Sequence, residues 1–284
     1  MSKLAIGTVQ FGLKYGINNI SGVPSDVEVE KIFKAAHNAG IDTIDTAQAY
    51  GDSESRIGQL ISNQFNIVTK FKQLSSDFPF HDELIKSLEK LKLYSIYGYM
   101  AHDADVLLMH PEWWKGLELA KKSGLVKKIG YSLYSVDQLD ALLFDNMIPD
   151  IVQIPYNILD RRFEHSISKL YEMGVEIHVR SVFLQGLLQM KINEIPSHLS
   201  GISKYIFKIN DVADKYNVVV GQLCLGFALQ NKFISKIVIG VDNLSQLMDN
   251  INISNSIRLS DSIIDELLSI EVIETELLDP SKWK

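Results

Sequence analysis

The sequence predicts a single (β/α)8 barrel, and three observations support this fold. Eight short runs rich in β-branched residues recur along the chain, with helical patterns between them. Such strict alternation implies parallel strands joined by helical crossovers. The length of 284 residues is the size of a closed barrel of eight such units. A doubly wound sheet would need an early glycine-rich phosphate loop, and no GxGxxG follows any early strand.

The strand and helix candidates alternate from one end of the chain to the other. The strands read KLAIGTV, IDTIDT, NIVTK, IYGYMAH, KKIGYS, DIVQI, EIHVRS and SKIVIG. The first helix covers residues 27–39, has its apolar residues on one face and ends at Gly40. Ser25 followed by Glu28 predicts a capping box at its start. Further helical patterns between strand candidates are DELIKSLEKLKL, PEWWKGLELAKKSG, SVDQLDALLFDN, RFEHSISKLYEMG and ISKYIFKINDVADKYN.

Nothing in the sequence divides the chain. It contains no linker, low-complexity tract or change of composition, and its only turn-dense patches are NNISGVPSD and INEIPSHLSG. We therefore expect residues 1–284 to form one barrel domain, with a C-terminal tail over about residues 270–284.

Composition excludes several classes of partner. The net charge of -7 and the pI near 5.5 argue against nucleic acid or an anionic membrane, because both attract a concentrated positive charge. A small-molecule partner is therefore expected. The N-terminus is too short and too polar for a signal peptide, and no apolar run approaches a membrane span, which predicts a cytoplasmic protein. Cys224 is the only cysteine and the seven histidines are scattered, so neither an internal disulfide nor a metal site is expected.

In barrels of this kind the chemistry lies at the C-terminal ends of the strands. Asp45 and Tyr50 follow the second strand, Lys70 ends the third and His102 ends the fourth, so their side chains would converge on one rim. Each of these residues alone has an ordinary structural explanation, such as loop capping or packing. Their convergence is what indicates a site. The other residues at strand ends are Thr8, Gln10, Ser132, Gln153, Arg180, Ser181 and Gly240.

The four converging residues suit the protonation of a carbonyl oxygen. A tyrosine hydroxyl is a poor acid at neutral pH, but an ammonium such as that of Lys70 stabilises the phenolate and lowers the tyrosine pKa. Asp45 would hold Lys70 through an ion pair, and His102 would orient the carbonyl toward Tyr50. The carbonyl carbon then needs a nucleophile. Because no serine, cysteine or metal set is placed to provide one, a bound nicotinamide is expected to supply hydride.

The same segments resemble the aldo-keto reductases, NAD(P)H-dependent enzymes built on a (β/α)8 barrel. The matching motifs are LAIGTVQFG in the first strand, GIDTIDTAQAYGDSESRIG after it, VTK in the third strand and AH at the end of the fourth. The resemblance runs almost from end to end of the chain. It implies a catalytic tetrad of Asp45, Tyr50, Lys70 and His102, in which Tyr50 is the proton donor.

The resemblance also implies which residues contact the nucleotide. Ser132 and Gln153 match residues that bind the carboxamide of nicotinamide, although Leu133 stands where the family has asparagine. Arg180 stands near an aromatic position that stacks on the nicotinamide ring, and a planar guanidinium can stack in the same way. The expected cofactor contacts are Thr8, Ser132, Gln153, Arg180, Ser181, Gly240, Ser245, Gln246 and Asn250.

The sequence is compatible with either NADPH or NADH as the cofactor. The segment IVIGVDNLSQLMDN resembles the phosphate and adenine segment of the family, where members selective for NADPH usually have a Lys or Arg for the 2'-phosphate. Residues 240–250 contain neither, and Asp242 adds a negative charge. A carboxylate beside an anionic phosphate is unfavourable. We therefore expect either nucleotide to serve, without a strong preference for NADPH.

The substrate is expected to be a small aldehyde or ketone. The motifs VQFG, YG and RSVFLQGLL are similar to those of a bacterial branch associated with surface glycans and nucleotide sugars, which includes sugar-related carbonyl compounds among the candidates. Tyr15 and Tyr156 are expected to line the substrate pocket, and Trp283 in the tail is a candidate lid or exterior clamp. Two other functions stay open: a nucleotide-binding regulatory barrel with little turnover, and a lyase using Lys70 as a Schiff-base amine.

Overall fold

The structure, a computed structural model of the chain, describes residues 2–61, 64–72 and 80–283. Eight parallel strands close into a barrel in sequence order, with the last strand paired to the first. The strands are β1 (Leu4–Gly7), β2 (Thr43–Asp45), β3 (Asn66–Phe71), β4 (Ile96–Ala101), β5 (Val126–Ser132), β6 (Ile151–Pro155), β7 (Glu176–Arg180) and β8 (Lys236–Gly240). The predicted (β/α)8 fold is confirmed, and each predicted strand lies within two residues of its expected bounds.

Helices cover the outside of the barrel. They are α1 (Val9–Gly12), α2 (Asp26–Asn38), α3 (Ser53–Leu60), α4 (Phe80–Leu91), α5 (Asp105–Met109), α6 (Glu112–Lys122), α7 (Val136–Phe144), α8 (Glu164–Glu172), α9 (Ser203–Tyr216), α10 (Val220–Gln230), α11 (Leu244–Ser256) and α12 (Asp261–Leu268). The predicted helical patterns correspond to α2, α4, α6, α7, α8 and α9. The other helices, α1, α3, α5, α10, α11 and α12, do not correspond to these patterns.

The start of α2 differs from the predicted capping box. The Ser25 side chain accepts a hydrogen bond from the backbone N–H of Glu28, as expected. The Glu28 carboxylate, however, accepts the backbone N–H of Leu244 at 2.7 Å. The reason is that α2 packs against α11 and brings Glu28 to the first turn of that helix. One carboxylate therefore caps the neighbouring helix rather than its own.

Alternation along the strands places a polar layer above an apolar one inside the barrel, because residues two apart face the same side of a sheet. The apolar layer consists of Val68, Met100 and Ile151. Two residues further along the chain stand Lys70, His102 and Gln153. The polar residues predicted for the site therefore lie at the carboxyl ends of β3, β4 and β6, directly above an apolar floor.

A charged cluster gathers around Glu176 at the opposite, N-terminal end of the strands. Its carboxylate accepts hydrogen bonds from His178 and Tyr97, each at 2.7 Å, and from Lys128. Burial alone would raise the pKa of Glu176, but these hydrogen bonds outweigh burial and lower it to about 2. The cluster lies on the barrel face that stabilises the fold, away from the strand ends where chemistry takes place.

The C-terminal tail packs on the outside of the barrel. Its residue Glu274 binds the Lys204 ammonium and the Tyr205 hydroxyl of α9. The Trp283 indole N–H donates to the Leu277 carbonyl at 3.2 Å, within the tail itself. Trp283 is therefore an exterior clamp in this structure, and it is not among the residues that line the barrel-mouth cavity.

Candidate active site

A buried ion pair forms the base of the site. The Lys70 ammonium donates to Asp45 Oδ1 at 2.6 Å and to the Thr46 carbonyl at 3.1 Å. The second carboxylate oxygen, Asp45 Oδ2, accepts from Gln153 Nε2 at 2.7 Å. Burial lowers the pKa of Lys70, and the charge of Asp45 opposes this effect. The predicted pairing of Asp45 with Lys70 is thus present, and Gln153 completes it.

The ion pair disfavours the reading of Lys70 as a Schiff-base amine. Such an amine must be reachable by the substrate and must lose its proton to act as a nucleophile. The Lys70 side chain is fully buried, and a carboxylate lies 2.6 Å from its nitrogen. The carboxylate of Asp45 favours the charged form of Lys70, and burial blocks access to its nitrogen.

Two close-packed glycines set the position of Tyr50. A Cβ atom added to Gly12 would lie 1.7 Å from the Tyr50 carbonyl oxygen, so the loop after β1 and the loop after β2 touch through backbone alone. Gly51, the next residue, has a φ of +56°, in the left-handed region that glycine tolerates best. The glycines of the motifs VQFG and YG therefore fix the loop that presents the tyrosine.

Tyr50 lies between Lys70 and His102. The Lys70 nitrogen is 5.4 Å from the centre of the Tyr50 ring, and the His102 ring meets that ring edge-on with centres 5.5 Å apart. Two of the other three predicted residues thus flank Tyr50. Asp45 is linked to them through Lys70.

The expected direction of the Tyr50 pKa is wrong for this structure. Burial, followed by the negative charge of Asp45, raises the pKa of Tyr50 well above 10. The charge of Lys70 does not reverse this direction, because its ammonium is directed at Asp45 and at a backbone carbonyl. Tyr50 is therefore held in its protonated form, which is the form a proton donor needs.

His102 is held neutral. Burial and then the positive charges of Lys70 and Arg180 lower the pKa of His102 to about 3. Its Nδ1 atom is buried and has no hydrogen-bond partner among the described residues. A neutral imidazole beside Tyr50 can donate a hydrogen bond to a carbonyl oxygen without bringing a further charge into the site.

A cavity of about 300 Å³ opens beside Tyr50 at the carboxyl ends of the strands. It brings together most of the residues predicted from the sequence: Thr8, Tyr15, Asp45, Tyr50, Gln153, Arg180, Ser181, Gly240, Gln246 and Asn250. Lys70 and His102 do not line it but contact residues that do. Ten of the predicted residues, including Tyr50, therefore share one cleft.

Three predicted residues lie outside this cleft. Ser132 is buried at the end of β5, and Ser245 is exposed on the first turn of α11. The assignment of Tyr156 to the substrate pocket is wrong. Its ring stacks on Phe227 of α10 with centres 5.5 Å apart, and its hydroxyl accepts a hydrogen bond from Asn231. Tyr156 is a core residue between the barrel and a helix.

Arg180 stacks on a residue that sequence reasoning missed. Its guanidinium lies 4.6 Å from the centre of the Tyr134 ring, and one N–H donates to the Leu133 carbonyl at 3.2 Å. The backbone that follows is contorted, with φ values of +63° at Ser181 and +56° at Gln185. Left-handed non-glycine residues gather at ligand sites because binding geometry outweighs their strain.

Other cavity residues were also missed by the prediction. They are Asn18 and Asn19 from the loop after β1, Gln185 and Gln189 from the segment after β7, and Asp249 from α11. Tyr15 and Gln185 connect the two loops, since the Gln185 amide donates to the Tyr15 hydroxyl at 2.9 Å. Only the position of Gln185 within the motif RSVFLQGLL gave a signal in the sequence.

The cleft fits a nicotinamide nucleotide. The oxygens Gln10 Oε1 and Asp242 Oδ1 are buried without a hydrogen-bond partner among the described residues, and both residues line the cavity. Unpaired buried acceptors call for a ligand with hydroxyl or amino donors, such as a nucleoside. Burial also raises the pKa of Asp242. Among the described residues, no group of histidine, cysteine and carboxylate side chains could hold a metal ion.

Comparisons with known proteins agree with this geometry. The sequence pattern of the aldo/keto reductase family matches residues 3–271. An NADH-specific methylglyoxal reductase of Escherichia coli K12 is 26% identical over 96% of this chain and 99% of its own length. An L-glyceraldehyde 3-phosphate reductase of Escherichia coli O157:H7 is 23% identical over 95% of this chain and 89% of its own. Within the described ranges, no helix is long and apolar enough to cross a membrane.

Solved structures share the fold. The holo form of the aldo-keto reductase AKR11C1 from Bacillus halodurans superimposes with a TM-score of 0.78 at 17% sequence identity. The match covers 94% of this chain and 91% of that one. At this level of identity the likeness concerns the barrel and not the residues at its mouth.

Proposed function

Because this chain belongs to the aldo/keto reductase family and is an NAD(P)H-dependent oxidoreductase that reduces carbonyl groups, we propose that Tyr50 protonates the carbonyl oxygen. The observation that supports this role is the arrangement of Tyr50, which lies in the cleft between the neutral His102 and the buried Lys70–Asp45 pair. When bound, the reduced nicotinamide supplies the hydride.

The residues around Tyr50 divide the remaining work. His102 donates a hydrogen bond to the carbonyl oxygen and so orients it toward the tyrosine hydroxyl. Lys70 lies 5.4 Å from the tyrosine ring, and its positive charge stabilises the negative charge that develops as the proton leaves. Asp45 keeps Lys70 charged and in place. Gln153 holds the other oxygen of Asp45 and fixes the orientation of the pair.

We propose that the nucleotide lies along the cleft from Tyr50 to α11. Gln153 and Arg180 would face the nicotinamide, while Gly240, Gln246 and Asn250 would face the phosphate and adenosine end. Gly240 leaves room there, since a Cβ atom would lie 2.3 Å from the amide of Gln10. The backbone N–H groups of Leu244 and Gln246 at the start of α11 are already bound by Glu28 and Asn243, so the side chains of this end would contact the phosphates.

We propose that NADH is preferred over NADPH. No cationic side chain of the described residues lines the α11 end of the cleft, where Asp242 and Asp249 are both present. The unpaired oxygen of Asp242 can accept a hydrogen bond from a ribose hydroxyl, whereas a 2'-phosphate would be repelled. The name of the Escherichia coli K12 relative, an NADH-specific reductase, agrees with this preference.

The substrates are proposed to be small aldehydes or ketones. The relatives named above are a methylglyoxal reductase and a glyceraldehyde 3-phosphate reductase, and both names describe compact carbonyl compounds. The first test is titration with NADH and NADPH, followed by turnover of a panel of such compounds. Tight nucleotide binding without reduction of any panel member would contradict the proposed substrate class.

The role of Tyr50 is tested by Tyr50→Phe. General acid catalysis contributes roughly 100- to 10,000-fold, so kcat should fall at least 100-fold while nucleotide affinity stays within about twofold. The matched control is Tyr131→Phe, which removes a buried hydroxyl that bonds the Met147 carbonyl in the core. Its turnover should stay near that of the wild type. A Tyr50→Phe enzyme with more than a tenth of wild-type turnover would exclude Tyr50 as the acid.

A further inference from the structure

The charges that line the cleft are unevenly balanced. Among the described lining residues the charged side chains are Asp45, Arg180, Asp242 and Asp249. Both oxygens of Asp45 are already bound, one to Lys70 and the other to Gln153. Arg180 is therefore the one cation that lines the described part of the cleft, and no neighbouring charge on the lining neutralises it.

Among the described residues, no contact of Arg180 is with a carboxylate. Its guanidinium stacks on Tyr134, and its two N–H contacts go to the Leu133 carbonyl and, at 3.4 Å, to the Ser181 hydroxyl. No carboxylate of the described residues lies within salt-bridge distance of it. A guanidinium has five N–H donors, so several remain for a ligand. A partly buried cation without a counter-ion is stabilised by binding an anion.

The loops after β5, β6 and β7 hold this cation in place. Arg162 forms two hydrogen bonds with the buried Asp160, at 2.8 and 2.9 Å, and donates a third to the Tyr134 carbonyl at 2.9 Å. Asn157 donates to the Ser181 carbonyl at 3.0 Å. The platform under Arg180 is therefore fixed before a ligand arrives, which lowers the entropy lost on binding.

Arg180 lines the same cavity as Tyr50. Its charge helps to lower the pKa of His102 and opposes the effect of burial on the pKa of Tyr50. An anion bound to Arg180 would thus lie near the carbonyl that Tyr50 protonates. The phosphates of the nucleotide are expected further along the cleft, toward the side chains of α11.

We propose that Arg180 binds an anionic group of the substrate, a carboxylate or a phosphate monoester a few bonds from the carbonyl. The enzyme then prefers charged aldehydes or ketones to their neutral counterparts. This inference rests on the proposed function, because it assigns a substrate class to the same site. Arg180 acts here as a specificity-determining residue, in addition to its contact with the nicotinamide.

The test compares aldehydes that differ in charge, at saturating NADH. Succinic semialdehyde is paired with its methyl ester, methyl 4-oxobutanoate, and glyceraldehyde 3-phosphate is paired with glyceraldehyde. In at least one pair we expect kcat/KM to be roughly 10- to 100-fold higher for the charged member, as for other charge-assisted hydrogen bonds. The pair that shows the preference identifies carboxylate or phosphate as the recognised group.

Variants locate the source of that preference. Arg180→Met should lower kcat/KM for the charged aldehyde by roughly 10- to 100-fold more than for its neutral partner. Arg180→Lys keeps the charge without the planar fork and should keep part of the preference. The control Lys72→Met removes an exposed cation whose charge also reaches His102, and it should leave the preference intact.

Several results would overturn the proposal. One is a wild-type enzyme without preference in either pair. Another is an Arg180→Met enzyme that loses the same factor on both members, because Arg180 would then act on the nucleotide alone. If none of the four aldehydes is reduced, the proposed function fails for these substrates. Binding of butyrate and butyramide to the NADH complex then decides, and equal affinity for the two would exclude an anion site.

Discussion

Replacing Asp45 with asparagine tests the buried ion pair most directly. The Lys70 side chain is fully buried and that of Asp45 is 3% exposed, so Asp45→Asn leaves an ammonium with no counter-charge in the barrel. Breaking such a pair costs about 3–5 kcal/mol of unfolding free energy. The loss of unfolding free energy has an upper limit, because Lys70 can lose its proton and become neutral in the variant. At pH 7, deprotonating an amine with an ordinary pKa of 10.5 costs about 5 kcal/mol.

The stability of Asp45→Asn is expected to change with pH in a definite direction. In Asp45→Asn the pKa of Lys70 in the folded state falls further below its value in the unfolded chain. The unfolded state then binds more protons, and the stability of the variant rises with pH by up to about 1.4 kcal/mol per pH unit. The difference from the wild type should therefore shrink between pH 7 and pH 9.

Urea unfolding followed by circular dichroism measures this difference, and steady-state reduction of one aldehyde measures activity. The matched control is Asp42→Asn, which breaks a partly exposed pair with Lys236 at the other end of the barrel and should cost about 1 kcal/mol. A loss below 1 kcal/mol for Asp45→Asn, or a difference that does not change with pH, would refute the account of Lys70 as a buried charge held by Asp45.

Two further predictions concern other charges of the barrel. Asp242→Lys should raise the ratio of kcat/KM for NADPH to that for NADH by at least 10-fold, because a cation replaces a carboxylate beside the proposed ribose site. An unchanged ratio would place recognition of the 2'-phosphate elsewhere. Glu176 has an ordinary pKa of 4.5 and a folded pKa of about 2, so its ionisation contributes about 3 kcal/mol that is present above pH 4.5 and is lost as the pH falls to 2. Urea unfolding of Glu176→Gln should therefore show a deficit of this size at pH 7 that narrows at pH 3, and a constant deficit would contradict the role of the carboxylate.

The fold could be predicted because the alternation of strands and helices is visible in local sequence patterns. Eight runs of β-branched residues and the helices between them leave few topologies other than a closed barrel. The proposed catalytic set follows from the same rule, since polar residues at the carboxyl ends of the strands must meet at one rim. The pairing of Asp45 with Lys70 is the clearest example, because the two residues lie on adjacent strands at their carboxyl ends.

Counting along a strand also explains the error at Tyr156. Gln153 faces the barrel interior, and alternate residues share a face, so Pro155 has the same orientation and Tyr156 the opposite one. An outward side chain after β6 meets α10, where Phe227 receives it. Tyr156 lies three residues after Gln153, and this odd spacing already indicates in the sequence that the two side chains face opposite sides of the sheet. The assignment of Tyr156 to the pocket considered its residue type and not this orientation.

The pKa of Tyr50 could not be predicted from residue types, because it depends on distances and burial that spacing does not give. A lysine near a tyrosine lowers the tyrosine pKa, but burial can outweigh this effect, as it does at Tyr50. Here Asp45 and the Thr46 carbonyl attract the ammonium of Lys70. The acid is therefore fully protonated before the reaction, and the charge of Lys70 becomes useful as the proton departs.

The charge distribution of the cleft connects the two proposed selectivities. The charges of Lys70 and Asp45 cancel each other. The pair therefore neutralises neither Arg180 at one end of the cleft nor Asp242 and Asp249 at the other. Arg180 therefore attracts anions near Tyr50, while Asp242 repels the 2'-phosphate of NADPH near α11. An anionic substrate and a nucleotide without a 2'-phosphate are the ligands that fit both ends at once. One arrangement of charges thus accounts for both proposed preferences. Arg180 determines the preference for an anionic substrate, and Asp242 determines the preference for NADH.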